Sequence, residues 1–439
     1  MKTENTRAEH GSARQRRAVP RSAQGYWVAP ADREDPVQTL IDQGVGRIQS
    51  LLPLRYARMR TDPFAFLRGA AAVMAADLAG TPVSGLRVQS SGDCHLANFG
   101  SYATPEGTPV FDLNDFDETL PAPFEWDVKR LATSLTVAGR VASYAEGACR
   151  KLARRAARAY RLHMTALAKR APLDAWSARI DLAAAIQDID HPKLRARIER
   201  RLQRVLTSGA AHFGLVERAD GAFRIKEQPQ AAHLDDLRPD AWEAFRHYGA
   251  TLQEDRQVLL SRYRLRDVAF KVVGVGSVGT FCAIGLFVSA DGTPLLLQAK
   301  QAQTSVLAPY AGASVYANQG QRVVTGQRML QAASDVFLGW TDEPIGGRDF
   351  YIRRLKDLRL ANVGAAIAEA LPFYAELCGR TLARAHARAG DAPATAAYLG
   401  ESAAFDEAIG DFAMAYADQT ERDWRAFQAA IAAGRIVAG

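Results

Sequence analysis

Asp93, Asn98 and Asp115 are the residues whose types and spacing first point to chemistry. They lie in one stretch, Ser90 to Asp127, that reads SSGDCHLANFGSYATPEGTPVFDLNDFDETLPAPFEWD. Carboxylate and carboxamide oxygens suit Mg²⁺, a hard cation that takes oxygen ligands and is usually shared with substrate phosphates. A polar loop with Asp and Asn serves equally well as a turn whose side chains bond their own backbone, so the elements around it decide. Leu86-Arg87-Val88 has the look of a short strand leading into the loop at Gly92, and Pro105-Glu106-Gly107 is turn chemistry between two extended runs. From Val110 the residues alternate with strand period, which places Phe111, Leu113 and Asp115 on one face. The three candidate ligands then fall on one loop and the adjoining strand end, where they can converge.

The rest of the chain supplies elements to hold that stretch. Asp35-Pro36 predicts a helix running toward Leu52, and Asp62-Pro63 a second one through Phe64, Leu67, Ala71, Met74 and Leu78 to Gly80. Pro121 and Pro123 precede a helix with Asp127 in its first turn, where the helix dipole favours a carboxylate. Helices continue to about Arg204. Phe223 to Glu227 reads as a short strand, and Pro239 opens a long amphipathic helix through Leu259. From Val268 the character changes to β-branched and aromatic runs with a Gly-rich turn at Gly274 to Gly279 and a hairpin at Ala290-Asp291-Gly292. A third strand from Leu295, a helix over Gln319 to Ala333, and strands over Asp335 to Trp340 and Asp349 to Arg354 complete a small unit. After Gly364 helices return, over Ala370 to Arg388 and Glu401 to Ala433. The fold class is α+β.

Composition narrows the partners. The chain has 439 residues, 48% of them hydrophobic, enough for a sizeable core. Its four cysteines lie far apart without a C-x-x-C pair, no apolar run is long enough to span a membrane, and the first residues lack the apolar core of a signal peptide. A cytoplasmic setting is expected, with no membrane partner. The net charge of +7 comes with Arg clusters at Arg150 to Arg158 and Lys193 to Arg204, but both carry apolar residues at helical spacing and no interleaved aromatic platform. They read as solvated helix faces, and nucleic acid is not expected as a partner. Residues 1–24 read as a disordered basic arm.

A second constellation lies far along the chain. Gly274, Gly276, Ser277 and Gly279 belong to a G-x-G-x-x-G pattern between two strands, and the third strand ends in Lys300. Strand, Gly-rich turn, strand, hairpin and strand Lys is the order of a kinase nucleotide-binding lobe, in which the turn covers the ATP phosphates and the Lys pairs with them. Asp93 and Asn98 are five apart, as are the catalytic Asp and metal-binding Asn of the kinase loop H-R-D-x-x-x-x-N, and Asp115-Phe116 matches the Asp-Phe pair that follows.

The Asp93 stretch thus resembles the catalytic segment H-G-D-x-H-x-x-N of aminoglycoside phosphotransferases and related small-molecule kinases, with Ser91 in place of the first His. From about Leu51 onward the chain resembles the bacterial domain-of-unknown-function family numbered 2252. The resemblance implies a protein-kinase-like two-lobed fold, circularly permuted, because Lys300 follows Asp93 by about two hundred residues instead of preceding it. Residues 25–262 would form the first segment of the C-lobe, 263–358 the N-lobe, and 359–439 the returning C-lobe helices. It implies an ATP- and Mg²⁺-dependent phosphotransferase acting on a hydroxyl-bearing small molecule, with Asp93 as catalytic base and His95 beside it. Asn98 and Asp115 would hold the metal, Lys300 and the Gly-rich turn the nucleotide, and Asp127 would brace the catalytic loop.

One departure leaves room for other readings. An active kinase holds its strand Lys with an acid on the N-lobe helix, yet no Asp or Glu occurs between Gln301 and Ser334. Asp335 is the nearest acid in sequence. A nucleotide-binding pseudokinase acting as a switch or scaffold is therefore an alternative. Another is a two-metal phosphoesterase that takes Asp93 and His95 as ligands, which would need further histidines. His163, His212 and His247 show no paired spacing.

Overall fold

Asp-Pro steps start the first helices for a reason visible atom by atom. Asp35 accepts a hydrogen bond from Val37 N at 2.9 Å and Asp62 from Ala65 N at 2.8 Å, satisfying amides that the helix itself leaves without acceptors. The computed structural model describes residues 16–189, 191–207, 215–219, 221–227, 231–232, 238–271, 275–355 and 368–439. Gly274, His212 and Gly364 lie outside them.

Both opening helices stop sooner than their apolar spacing predicts. The first covers only Pro36–Asp42, because the next residues are pulled to the Gly-rich turn: Ile48 N donates to Gly279 O at 2.7 Å. The second divides into Pro63–Gly69 and Ala71–Ala79 at Ala70, where the Gly69 carbonyl accepts from Arg55 Nη2 at 2.8 Å. A helix-breaking contact also divides the helix expected from Pro239. It runs over Arg238–His247 and resumes at Glu254–Leu260, since Thr251 Oγ1 both donates to Trp340 O and accepts from Trp340 N.

The architecture is α+β. Two short antiparallel pairings frame the Asp93 loop: Arg87–Ser90 with Leu120–Pro123, and Phe99–Ala103 with Pro109–Leu113. The latter strand ends at Leu113, so Asp115 sits just beyond the strand and not within its alternation. A six-stranded antiparallel sheet runs in the order Gly339–Trp340, Asp349–Arg354, Pro294–Ala302, Cys282–Ser289, Tyr263–Lys271, Ala231–Ala232. The strand expected from Asp335 is thus only Gly339–Trp340; Asp335 instead accepts from Phe337 N in a turn. Lys300 stands opposite Cys282 on one side and Tyr351 on the other, which aims its side chain from the sheet's interior.

Helices carry the larger core. Glu146–Ala168 packs against Leu371–Ala389, Ala404–Ala432 and Phe124–Val141. One hydrophobic cluster runs from Phe99 and Leu113 through Leu135, Tyr160 and Tyr374 to Val323, Val324 and Tyr351, so helices and sheet share it. A second cluster, with Phe245, Tyr248, Phe270, Phe281 and Phe350, seats the helix Arg238–His247 on the sheet. The end of the expected disordered arm is instead docked: Arg21–Gly25 forms a turn, Gln24 is fully buried against Tyr398 OH, and Arg21 donates to Leu399 O. Part of the Arg150 cluster bridges helices as well, since Arg150 reaches Glu407 and Asp411. Among the described residues no helix is long and apolar enough to cross a membrane.

Candidate functional site

Gly92 sets the Asp93 loop. It adopts φ +82°, a left-handed conformation that glycine tolerates, and a Cβ there would collide with the Glu118 carbonyl. Asp127, in the first turn of Phe124–Val141, accepts from Ser91 N at 2.7 Å and Gly92 N at 3.0 Å. Its Oδ2 also meets His386 Nε2 at 3.1 Å, and His386 Nδ1 meets Tyr160 OH at 2.9 Å. Within the loop, Asn98 Nδ2 donates to Asp93 O at 2.8 Å, which turns the amide oxygen of Asn98 the other way.

The Asp93 carboxylate is held from one side only. Arg130 Nε donates to its Oδ1 at 2.6 Å, while Oδ2 has no hydrogen bond among the described residues and lies 3.7 Å from His95 Nε2. Nδ1 of His95 accepts from Ala97 N at 3.2 Å, so a neutral ring carries its proton on Nε2. Burial, with Arg68 and Arg130 nearby, pushes the His95 pKa well below its usual value and keeps the ring neutral.

Lys300 has found its acid outside the helix. Its Nζ lies 2.5 Å from Asp117 Oδ2 and 3.7 Å from Asp115 Oδ1, and Tyr351 OH donates to Asp117 Oδ1 at 2.5 Å. Burial alone would lower the Lys300 pKa, but Asp115 and Asp117 raise it well above the ordinary value, so the ammonium form persists. Burial likewise pushes Asp117 up, and Lys300, Tyr351 and Arg353 more than reverse that. Asp115 goes the other way: burial and the neighbouring Asp117 raise it against the pull of Lys300. The helix Gln319–Leu330, where a kinase carries its acid, has Arg322 instead, donating to Thr119 O, Asp117 O and Gln303 O.

The Gly-rich turn closes the other side. Arg47 Nη1 donates to Gly276 O at 2.8 Å and to Val278 O at 2.7 Å, and Gly279 adopts φ +90° against the Arg47 side chain. Asp93, His95, Asn98, Asp115, Gly276 and Ser277 line one cleft, of about 820 Å³ including its open mouth, with Lys300 behind the carboxylates. Thus residues from three separate parts of the chain share a site. Arg47, Arg68, Asp117 and Glu118 also line it, and no motif or spacing in the sequence marks them. Arg130 had a readable signal: it stands one helical turn after Asp127, on the same face.

Glu118 is the titratable group most open to test. Burial raises its pKa from 4.5 to about 7, although Val306 N donates to its Oε2 at 2.7 Å. With the folded value above the unfolded one, the contribution to stability is complete below pH 4.5 and is lost as pH rises through 7. Glu118→Gln keeps an acceptor for Val306 and cannot titrate. Urea denaturation at pH 5 and pH 8 is therefore expected to show the variant gaining stability relative to the parent at the higher pH. An equal difference at both pH values would remove Glu118 as a buried titrating group.

Oxygen donors of Asn98 and Asp115 fit Mg²⁺, with the remaining positions left for phosphate and water. Among the described residues no three His, Cys, Asp or Glu side chains cluster so as to hold a metal by themselves. These features define an α+β protein with an acidic cleft, a lysine behind its carboxylates, between a six-stranded sheet and a helical body. Residues 47–430 match the family described as "Uncharacterized protein conserved in bacteria (DUF2252)", and the chain belongs to that family. No curated protein and no solved structure matches it.

Proposed function

We propose that this protein is an ATP- and Mg²⁺-dependent phosphotransferase acting on a hydroxyl-bearing small molecule, with a circularly permuted, kinase-like two-lobed fold. The observation that carries the reading is the meeting of Lys300 with Asp115 and Asp117, two carboxylates that line one cleft with Asp93 and the Gly276–Ser277 turn. In this reading the sheet is the nucleotide lobe, interrupting a helical lobe that begins before it and resumes after it. Mg²⁺, when bound, neutralises phosphate charge and orients the transferred group. Asn98 and Asp115 hold it, Lys300 holds the nucleotide phosphates, and Asp93 Oδ2 takes the acceptor proton. Asp127 fixes the loop that carries Asp93. Among the described residues His95 is the only histidine that lines the cleft, which favours phosphoryl transfer over a His-rich two-metal phosphoesterase.

Titration calorimetry tests the metal and nucleotide sites together. The parent is expected to bind ATP more tightly with Mg²⁺ than without, and Asp115→Asn to lose that increment while retaining metal-free binding. Equal affinity with and without Mg²⁺ in the parent would contradict the metal assignment.

A nucleotide-binding switch without turnover is the second reading. It is favoured by the helix Gln319–Leu330, which carries no acid and places Arg322 beside the Asp117 carbonyl, where an active kinase keeps the acid that holds its strand lysine. Its signature is ATP binding with no phosphoryl transfer to any acceptor or to water.

A further inference from the structure

We propose that Arg68 is a catalytic residue that binds the phosphoryl group while it is in transfer, an arginine supplied from within the chain. This rests on the phosphotransferase reading and assigns a role to a residue that reading leaves idle. The other arginines of the site are already engaged: Arg47 with the turn carbonyls, Arg130 with Asp93, Arg322 with three carbonyls. Arg68 lines the same cleft and makes no ion pair or hydrogen bond among the described residues; its Nε is buried without a partner. A phosphoryl oxygen at that place would give this enclosed N–H the acceptor it lacks.

Its position selects the anion. The helix Pro63–Gly69 brings the Arg68 carbonyl to within 3.0 Å of where a Cβ on Gly276 would stand, so its main chain abuts the Gly-rich turn. The side chain lies over the ring of Phe64 at 5.9 Å, and that ring packs edge-on against His95 at 6.3 Å. Arg68 is thus held at the seam between the turn, which faces the donor phosphates, and the Asp93 loop, which faces the acceptor. That seam is where the phosphoryl group passes. A planar guanidinium offers two N–H groups to two phosphoryl oxygens, and such an arginine is worth roughly 10³-fold or more in phosphoryl transfer.

The transfer balances without further reagents. The acceptor hydroxyl oxygen bonds to the γ-phosphorus as the bond from that phosphorus to the bridging oxygen breaks. The bridging oxygen keeps the electron pair and leaves in ADP, and the hydroxyl proton passes to Asp93. Arg68 donates hydrogen bonds and no proton.

The test is calorimetry of the full chain with ADP and Mg²⁺, with and without aluminium fluoride, whose flat complex imitates the group in transfer. The parent is expected to bind ADP about 10²-fold or more tightly with fluoride, as transition-state analogues do. Arg68→Ala should abolish that gain while changing ADP·Mg²⁺ affinity less than about threefold, and Arg68→Lys should restore part of it. Because Arg68 supports no hydrogen bond, thermal unfolding of Arg68→Ala should match the parent. If Arg68→Ala keeps the fluoride gain, or the parent shows none, the assignment is overturned while nucleotide binding stands. If the parent binds no ADP·Mg²⁺, the phosphotransferase reading falls and this one with it.

Discussion

Asp93→Asn is expected to lower phosphoryl transfer by about 10²-fold or more, since a positioned acid–base group contributes roughly 10²- to 10⁴-fold. Oδ1 is occupied by Arg130 and Oδ2 is not, so the carboxylate has one oxygen free to take a proton. An amide oxygen in that place still accepts from Arg130 but is not a base. Nucleotide affinity should hardly change, because Lys300 and the Gly-rich turn are untouched. Arg130 is 2% exposed and loses a formal counter-ion, so some stability is lost as well. The surviving hydrogen bonds to Leu67 O and to the new amide keep that loss below the roughly 3–5 kcal/mol of breaking a buried pair outright. Initial rates of ADP release at saturating ATP, taken well below the melting temperature, separate the two effects. A rate within about threefold of the parent would remove Asp93 as the base.

How much of this was legible depended on whether a signal was local. The Asp-Pro caps, the Ala290-Asp291-Gly292 hairpin and the strand from Leu295 to Lys300 are set by neighbours in sequence, and the elements follow them. Breaks at Gln43 and Ala70 are not local. The first comes with a contact to Gly279, far along the chain, and the second with a side-chain bond from Arg55 to the Gly69 carbonyl, which apolar spacing does not register. The site shows the same division. Asp93, Asn98 and Asp115 could be found by spacing, and they line one cleft. The kinase pattern puts the partner of Lys300 on the following helix. Asp117 stands 183 residues earlier, in the same Asp-Phe-Asp run that holds Asp115. The fully buried pair Asp112–Arg384 was equally invisible, its members 272 residues apart. An acid in a strand reads as a solvent-facing residue until its partner is known.

Asp127→Ala is expected to cost the fold several kcal/mol and to disable the Asp93 loop with it. The carboxylate serves Ser91 N, Gly92 N and His386 Nε2 at once, in a place where it is itself 2% exposed. A buried donor left without an acceptor costs about 1–3 kcal/mol. Gly92 N keeps Ser90 Oγ at 3.0 Å, so two donors are fully orphaned and the expected loss is roughly 2–6 kcal/mol. His386 adds a wider consequence. With Nε2 donating to Asp127, its Nδ1 accepts from Tyr160, so one carboxylate ties the loop to the helices Leu371–Ala389 and Glu146–Ala168. Asp127→Asn should lose less, because one oxygen remains to accept while the new amino group faces at least one N–H. Chemical denaturation gives the order parent, Asn, Ala in falling stability, and loss of Mg²⁺-dependent ATP affinity should follow the same order because Asn98 rides on that loop. A loss below about 1 kcal/mol for Asp127→Ala would mean that water or a shifted loop satisfies these donors. The brace would then hold neither the fold nor the catalytic residue in place.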